Sequence, residues 1–236
     1  MKKVLNLIVM LTLALVALES CGPARSTQSG TNLASVQEFA FIEPYSYMIV
    51  YGDDGKGYYN EDNSRKATQL ITSIVESERY PFTDVISADY DDDNADIRKW
   101  VTNFDENTPS RADRLRVPKS LKTLVKNSGN RYGIVIYSFG YTQTVAGYQR
   151  EKLEKAASRV VDKAIESLTG ISGLTNPSRN YYVSDPYGNI MYCAVVDVEE
   201  DRVVNFVREV PTFGSHPLES QYVSELLHKL LKDFAR

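Results

Sequence analysis

The run Tyr132–Phe139 (Tyr-Gly-Ile-Val-Ile-Tyr-Ser-Phe) constrains the fold more than any other stretch of the chain. A strand facing water on one side alternates apolar and polar residues, whereas this one is apolar almost throughout. It therefore reads as a central strand covered on both faces. The segments around it supply the covers. Tyr45–Tyr51 is aromatic and β-branched, bounded by Pro44 and Gly52, and reads as a second strand. Gly52–Asn63 is a polar loop. Ala67, Leu70, Ile71, Ile74 and Val75 follow at helical spacing, with Asn63 or Ser64 as the expected N-cap. Phe82–Ala88 is a short candidate strand, Asn94–Asn103 a helix, and Leu121, Leu124 and Val125 mark another helix after Pro118. Leu153 to Leu168 carries an Ala-rich apolar stripe that ends near Gly170 and Gly173. Ile190–Val198 and Val203–Val210 flank a Glu-Glu-Asp-Arg turn and read as a hairpin. Val223 to Phe234 forms a terminal amphipathic helix opened by Pro217. This order predicts an α/β (α+β) single three-layer domain, a mixed sheet with an antiparallel hairpin and packed helices.

The amino terminus has a different character. Met1-Lys2-Lys3 precedes an apolar run from Val4 to Leu18, too short to span a membrane and suited to a signal peptide. It ends in Leu18-Glu19-Ser20-Cys21-Gly22, which resembles the lipobox of bacterial lipoproteins, with Glu19 as a departure. The resemblance implies cleavage after Ser20 and acylation (palmitate among the chains) of Cys21. Several acyl chains on one residue exceed what stable anchoring needs. Residues 1–20 are thus expected to be a signal peptide, 21–38 a lipidated Cys with a flexible tether, and 39–236 the single α/β domain. The Ser-Cys box and Tyr-rich body resemble Bacteroidota lipoproteins, in which an acidic run after the Cys marks export to the outer face. Arg25 is the only charge between Gly22 and Asn32, so the periplasmic face of the outer membrane is expected.

The apolar-Val-Asp-Val hairpin, the apolar central strand and the terminal helix resemble the CsgG and TolB amino-terminal family of envelope domains. The matching pieces are Tyr132–Thr142, Met191–Val207 and Pro217–Phe234. That resemblance implies assembly, partner binding or a secretion-channel subunit rather than catalysis. The chain shows no pair of alternating lipid-facing strands, which argues against a pore.

Composition removes several functions. With 27 Lys and Arg against 31 Asp and Glu, the formal charge is −4, against nucleic-acid binding. Two Cys and two His leave no zinc site or disulfide framework, and no cofactor is expected. Asp89-x-Asp91-x-Asp93 has the alternating oxygens of a calcium loop, but Asn94 stands where the Gly belongs and Trp100 where the bidentate Glu belongs. A helix N-terminus explains these acids better. Arg111, Arg114, Arg116, Lys119, Lys122 and Lys126 form a basic stretch, readable as a face for anionic headgroups or an acidic partner, or as pairing with the acids before it. Gly52 to Gly57 lacks P-loop spacing and reads as a turn. His216 is expected in the first turn of the last helix, His228 pointing outward, and Cys193 buried in a strand. No catalytic motif is present, although a carboxylate pair for glycan or peptide hydrolysis could form in the fold. Sixteen Tyr, with Tyr58-Tyr59 and Tyr181-Tyr182 in loops, suit stacking on sugars or partners. Arg111, Arg114, Arg116, Lys119, Tyr58 and Tyr59 are accordingly the expected partner-binding residues of a membrane-anchored module. Its expected partner is a glycan or an envelope protein, with homo-oligomer formation left open.

Overall fold

The computed structural model describes residues 24–27, 33–78, 80–153, 185–210 and 216–234. Within them the strands are β1 (Ala24–Thr27), β2 (Ala40–Phe41), β3 (Tyr45–Tyr51), β4 (Gly57–Tyr59), β5 (Tyr132–Gln143), β6 (Tyr187–Asp197) and β7 (Arg202–Glu209). The helices are α1 (Glu61–Ser77), α2 (Ala95–Val101), α3 (Thr108–Arg111), α4 (Lys119–Asn127) and α5 (Ser220–Leu230). Residues 145–153 are also helical. The α/β class and the mixed sheet expected from the sequence are both present.

The sheet order is β1-β7-β6-β5-β3-β4, with β2 also on β5. β5 runs parallel to β2 and β3 and antiparallel to β6, which pairs along nearly its whole length. β5 is thus central, with Gly133 to Ser138 buried, as its unbroken apolar sequence requires. Alternation along the strands sends Ile134, Ile136, Met191, Cys193, Val195 and Val207 to one face and Val135, Tyr137, Tyr192, Ala194 and Phe206 to the other. The first face is covered by Ile71 and Val75 of α1 and Val223, Leu226, Leu227 and Leu230 of α5. The second is covered by Ile97 and Val101 of α2 and Leu121 and Val125 of α4. Each fully buried aliphatic side chain contributes about 1.5–3 kcal/mol, and the helix stripes exist because their apolar spacing of three and four matches the helical turn.

Several expectations are corrected. Gly52–Asn63 is not one loop: Gly57–Tyr59 pairs with Ile49–Tyr51, because β3 offers an open edge that a short turn can fold back onto. Gly55 takes φ +76° in that turn, a conformation favourable to glycine. The N-cap of α1 is therefore Asn60, not Asn63 or Ser64, and its side chain accepts the Asn63 N–H at 2.8 Å. Phe82–Ala88 makes only the bridges Phe39–Phe82 and Ile42–Ile86 rather than a continuous strand. Ala24–Thr27, inside the expected tether, pairs antiparallel with Asn205–Arg208, and Leu33 is buried, so the tether loses those residues to the folded body. His216 lies before the last helix, which starts only at Ser220. The Ala-rich stripe beyond Leu153 lies outside the described residues.

Candidate functional site

The sheet edge at β3 is closed by a helix. Met48 N–H donates to Ser64 Oγ (3.0 Å), Asn60 N–H donates to the Met48 carbonyl (2.9 Å), and Thr68 Oγ1 donates to the Pro44 carbonyl (3.3 Å). Helix α1 thus satisfies main-chain groups that an exposed edge would offer to another strand. Across β3 from α1 stand the loop 88–91 and α2. Between the two walls runs an open groove of about 1180 Å³.

Its floor is aromatic. Tyr192, Tyr137 and Tyr45 stack in one row across the sheet, with ring centroids 5.7 and 5.9 Å apart. Phe139, Tyr47 and Tyr59 stack in a second row at 6.3 and 4.8 Å. The outer rings of both rows, Tyr45, Tyr47 and Tyr59, line the groove, and Tyr90 leans on Tyr45 at 5.0 Å. Alternation places these rings on one face because Tyr45 and Tyr47 are two residues apart. Tyr59 is 50% exposed. Burial, then the neighbouring Tyr59, raise the Tyr45 hydroxyl above its ordinary range, and burial with the nearby Glu43 raises that of Tyr90 much further. Both stay neutral at physiological pH. Tyr90 donates its hydroxyl hydrogen to the Glu43 carbonyl.

The walls mix both signs. Arg65, Arg98 and Lys99 stand with Glu43, Glu61, Asp89 and Asp91. Most of these charges already have work. Glu43 accepts from Ser87 Oγ and from the Ala88 N–H, both at 3.0 Å. Asp89 Oδ1 accepts the N–H groups of Asp91 (3.1 Å) and Asp92 (3.3 Å), forming the turn that enters α2. Asp91 pairs with Arg98, and Arg65 with Asp62. Ser46, between Tyr45 and Tyr47 and therefore directed to the opposite face of β3, is 3% exposed, and its Oγ has no hydrogen-bond partner among the described residues.

The structure separates the residues expected to form a partner site. Tyr58 and Tyr59 lie on β4 at one sheet edge. Arg111 and Arg114 lie at the other, on α3 and the turn Ala112–Arg114, which pack against β1 and β7. Only Tyr59 lines the groove; Tyr58 is exposed and donates to Asp54 Oδ2 at 2.6 Å in the β3–β4 turn. That bond holds the Asp54 carboxyl below its ordinary range. In the basic stretch Arg111 pairs with Asp105 (2.9 Å) and Lys122 with Asp201 (3.0 Å), while Arg114, Arg116 and Lys119 are exposed. Pairing with the preceding acids therefore accounts for Arg111 alone. Among the described residues no group of three or more His, Cys, Asp or Glu side chains could hold a metal ion. Asp89 and Asp91 are engaged as above, and Asp96 accepts the Ser120 N–H (3.1 Å) at the start of α4. The 52–57 segment is a hairpin turn. Cys193 is buried, His228 is exposed beside Glu78, and Tyr187 packs edge-on against His216. Cys21, Tyr181 and Tyr182 lie outside the described residues. Tyr45, Tyr47, Tyr90, Arg65 and Arg98 were not singled out as site residues by sequence. The i, i+2 tyrosine pair was the available signal, and it also fits a covered sheet face.

No family model matches the chain, and no curated relative matches it. Solved structures similar to it include a PelC dodecamer from Paraburkholderia phytofirmans, 13% identical with a TM-score of 0.37, the match covering 90% of this chain and 98% of that one. They also include a DUF4136 family protein from Bacteroides thetaiotaomicron, 10% identical with a TM-score of 0.30, covering 89% and 95%. At TM-scores below 0.5 these likenesses settle neither family nor function, and the resemblance to CsgG and TolB domains rests on sequence motifs alone.

Proposed function

We propose that this chain is a lipid-anchored cell-envelope protein, held by Cys21 at the periplasmic face of the outer membrane. Its folded part is a non-enzymatic binding module whose site is the tyrosine-floored groove beside β3. The observation that carries the binding reading is the groove itself: half-buried and exposed aromatic rings on the sheet, between walls of mixed charge most of which is engaged in bonds within the protein. Ligand sites are concave, with an apolar lining and a few placed polar groups. A carboxylate hydrolase would need two free acids about 5–9.5 Å apart. Here Glu43, Asp89 and Asp91 hold the loop and the entry to α2, which leaves Glu61, among the described residues, as the carboxylate lining the groove without such a bond. The anchor reading is supported by the lipobox-like Leu18–Cys21 directly behind the apolar run.

The two halves are tested separately. Metabolic labelling with palmitate and membrane fractionation of Cys21→Ala address the anchor: the variant is expected to lose label and leave the outer membrane, and full retention would refute acylation as the anchor. A photo-crosslinking residue at Tyr59 in intact cells addresses the groove. It is expected to capture a partner that the same residue at Asn103 does not.

A further inference from the structure

Resting on the reading of the groove as the binding site, we infer that its ligand is an extended, uncharged oligosaccharide, stacked on Tyr47 and Tyr59. Four observations converge on that chemistry. The volume of about 1180 Å³ exceeds the roughly 300–1,000 Å³ of small-molecule pockets, and the groove is open, so it suits a ligand of several linked units. Its floor offers tyrosine rings, whose apolar faces cover the apolar faces of sugar rings while their hydroxyls meet sugar hydroxyls. Tyr59 is stacked from below by Tyr47 and half open above, so its platform is already built before any ligand arrives.

Charge supplies the third observation. Three cations face four carboxylates along the walls, and Arg65, Arg98, Asp91 and Glu43 already have partners, so neither a polyanion nor a polycation finds a complementary field. Beside the opposite charges of Lys99 and Glu61, what remains are neutral donors and acceptors, among them Gln69 and the un-ionised Tyr45 hydroxyl.

The fourth observation separates a sugar from a peptide. An extended peptide gains affinity by pairing with an open strand edge. Here Ser64, Thr68 and Asn60 already occupy the edge groups of Pro44 and Met48, so the strand has little main chain to offer.

The test uses the full chain in detergent micelles, titrated calorimetrically with cellotetraose, maltotetraose and chitotetraose, and with a tetra-alanine peptide. At least one tetrasaccharide is expected to bind. Tyr59→Ala and Tyr47→Ala are expected to weaken it at least tenfold, while Tyr58→Ala, outside the groove, leaves it unchanged. Circular dichroism melting of each variant separates lost binding from lost folding. No binding of any tetrasaccharide, or equal binding by parent and a folded Tyr59→Ala, would overturn the inference. Binding of the peptide alone would overturn the ligand class. In that case the crosslink from Tyr59 would still report whether the groove is the binding site.

Discussion

At the scale of single residues, Asp197 shows how a charge is held inside this sheet. It is 1% exposed at the end of β6, and Arg131 donates to it from Nε (2.9 Å) and Nη2 (2.6 Å). The backbone N–H groups of Glu199 (2.9 Å) and Glu200 (3.1 Å) donate to its other oxygen. Desolvation pushes the Asp197 carboxyl up, but Arg131 and the two N–H groups together outweigh it and hold the carboxyl below its ordinary range. A carboxyl depressed by folding contributes stability above its unfolded value of about 3.9, and that contribution is lost as pH falls through the folded value. Thermal melting of the parent between pH 5 and 2.5 is therefore expected to weaken more steeply than that of Asp197→Asn; parallel slopes would contradict the assignment. Arg131→Ala at neutral pH is expected to cost about 2–3 kcal/mol in a denaturant titration, because it strands a buried carboxylate. Ser46→Ala goes the other way. Removing a buried hydroxyl that has no partner among the described residues is neutral or stabilising, so a higher or unchanged melting temperature is expected, and a loss above about 1 kcal/mol would show a further protein partner.

At the scale of elements, the packing of α4 on the sheet depends on a missing side chain. A Cβ at Gly133 would fall 2.5 Å from Val125 Cγ2 and 3.2 Å from Val196 Cγ2. Gly133→Ala must push α4 off β5, and a loss of about 1–3 kcal/mol is expected from chemical denaturation; a stability equal to the parent's would show the helix to be loosely docked. Strands and helices such as β5, β6, β7, α1 and α5 were legible in the sequence because their apolar periodicity is long and local. β4 was not. Its three residues carry no period of their own and are a strand only because β3 offers an open edge there. The same reason hid Asn60 as the cap of α1. The groove was half legible: Tyr58-Tyr59 stood out, but selecting Tyr59 over Tyr58 needs the pairing register. Joining Tyr45 to Tyr90 and Arg98 needs the packing of two elements some fifty residues apart in the chain. The basic stretch and the tyrosines looked like two parts of one site, and only the strand order separates them.

For the molecule as a whole, strand order also relates the proposed anchor to the proposed site. Cys21 precedes Ala24, the first residue of β1, by three positions, a reach of at most about 11 Å. The proposed acyl group on Cys21 would therefore hold the β1 edge of the sheet close to the bilayer. From β1 the order β7, β6, β5, β3 spans four strand spacings, about 19 Å, before the groove begins. Arg111 and Arg114, packed beside β1 and β7, lie on the side of the proposed anchor, where cations near anionic headgroups would be favoured. The anchor and the strand order together predict a groove held away from the membrane and open to the space beyond it. Fluorophores on Arg114→Cys and Tyr58→Cys, in acylated protein reconstituted into vesicles with a headgroup-linked quencher, measure this directly. Cys193 is buried and does not compete for the label. Strong quenching at position 114 and little at 58 is expected. Equal quenching would mean that the body lies flat on the bilayer and that the groove faces the membrane plane, where a long oligosaccharide could not enter it.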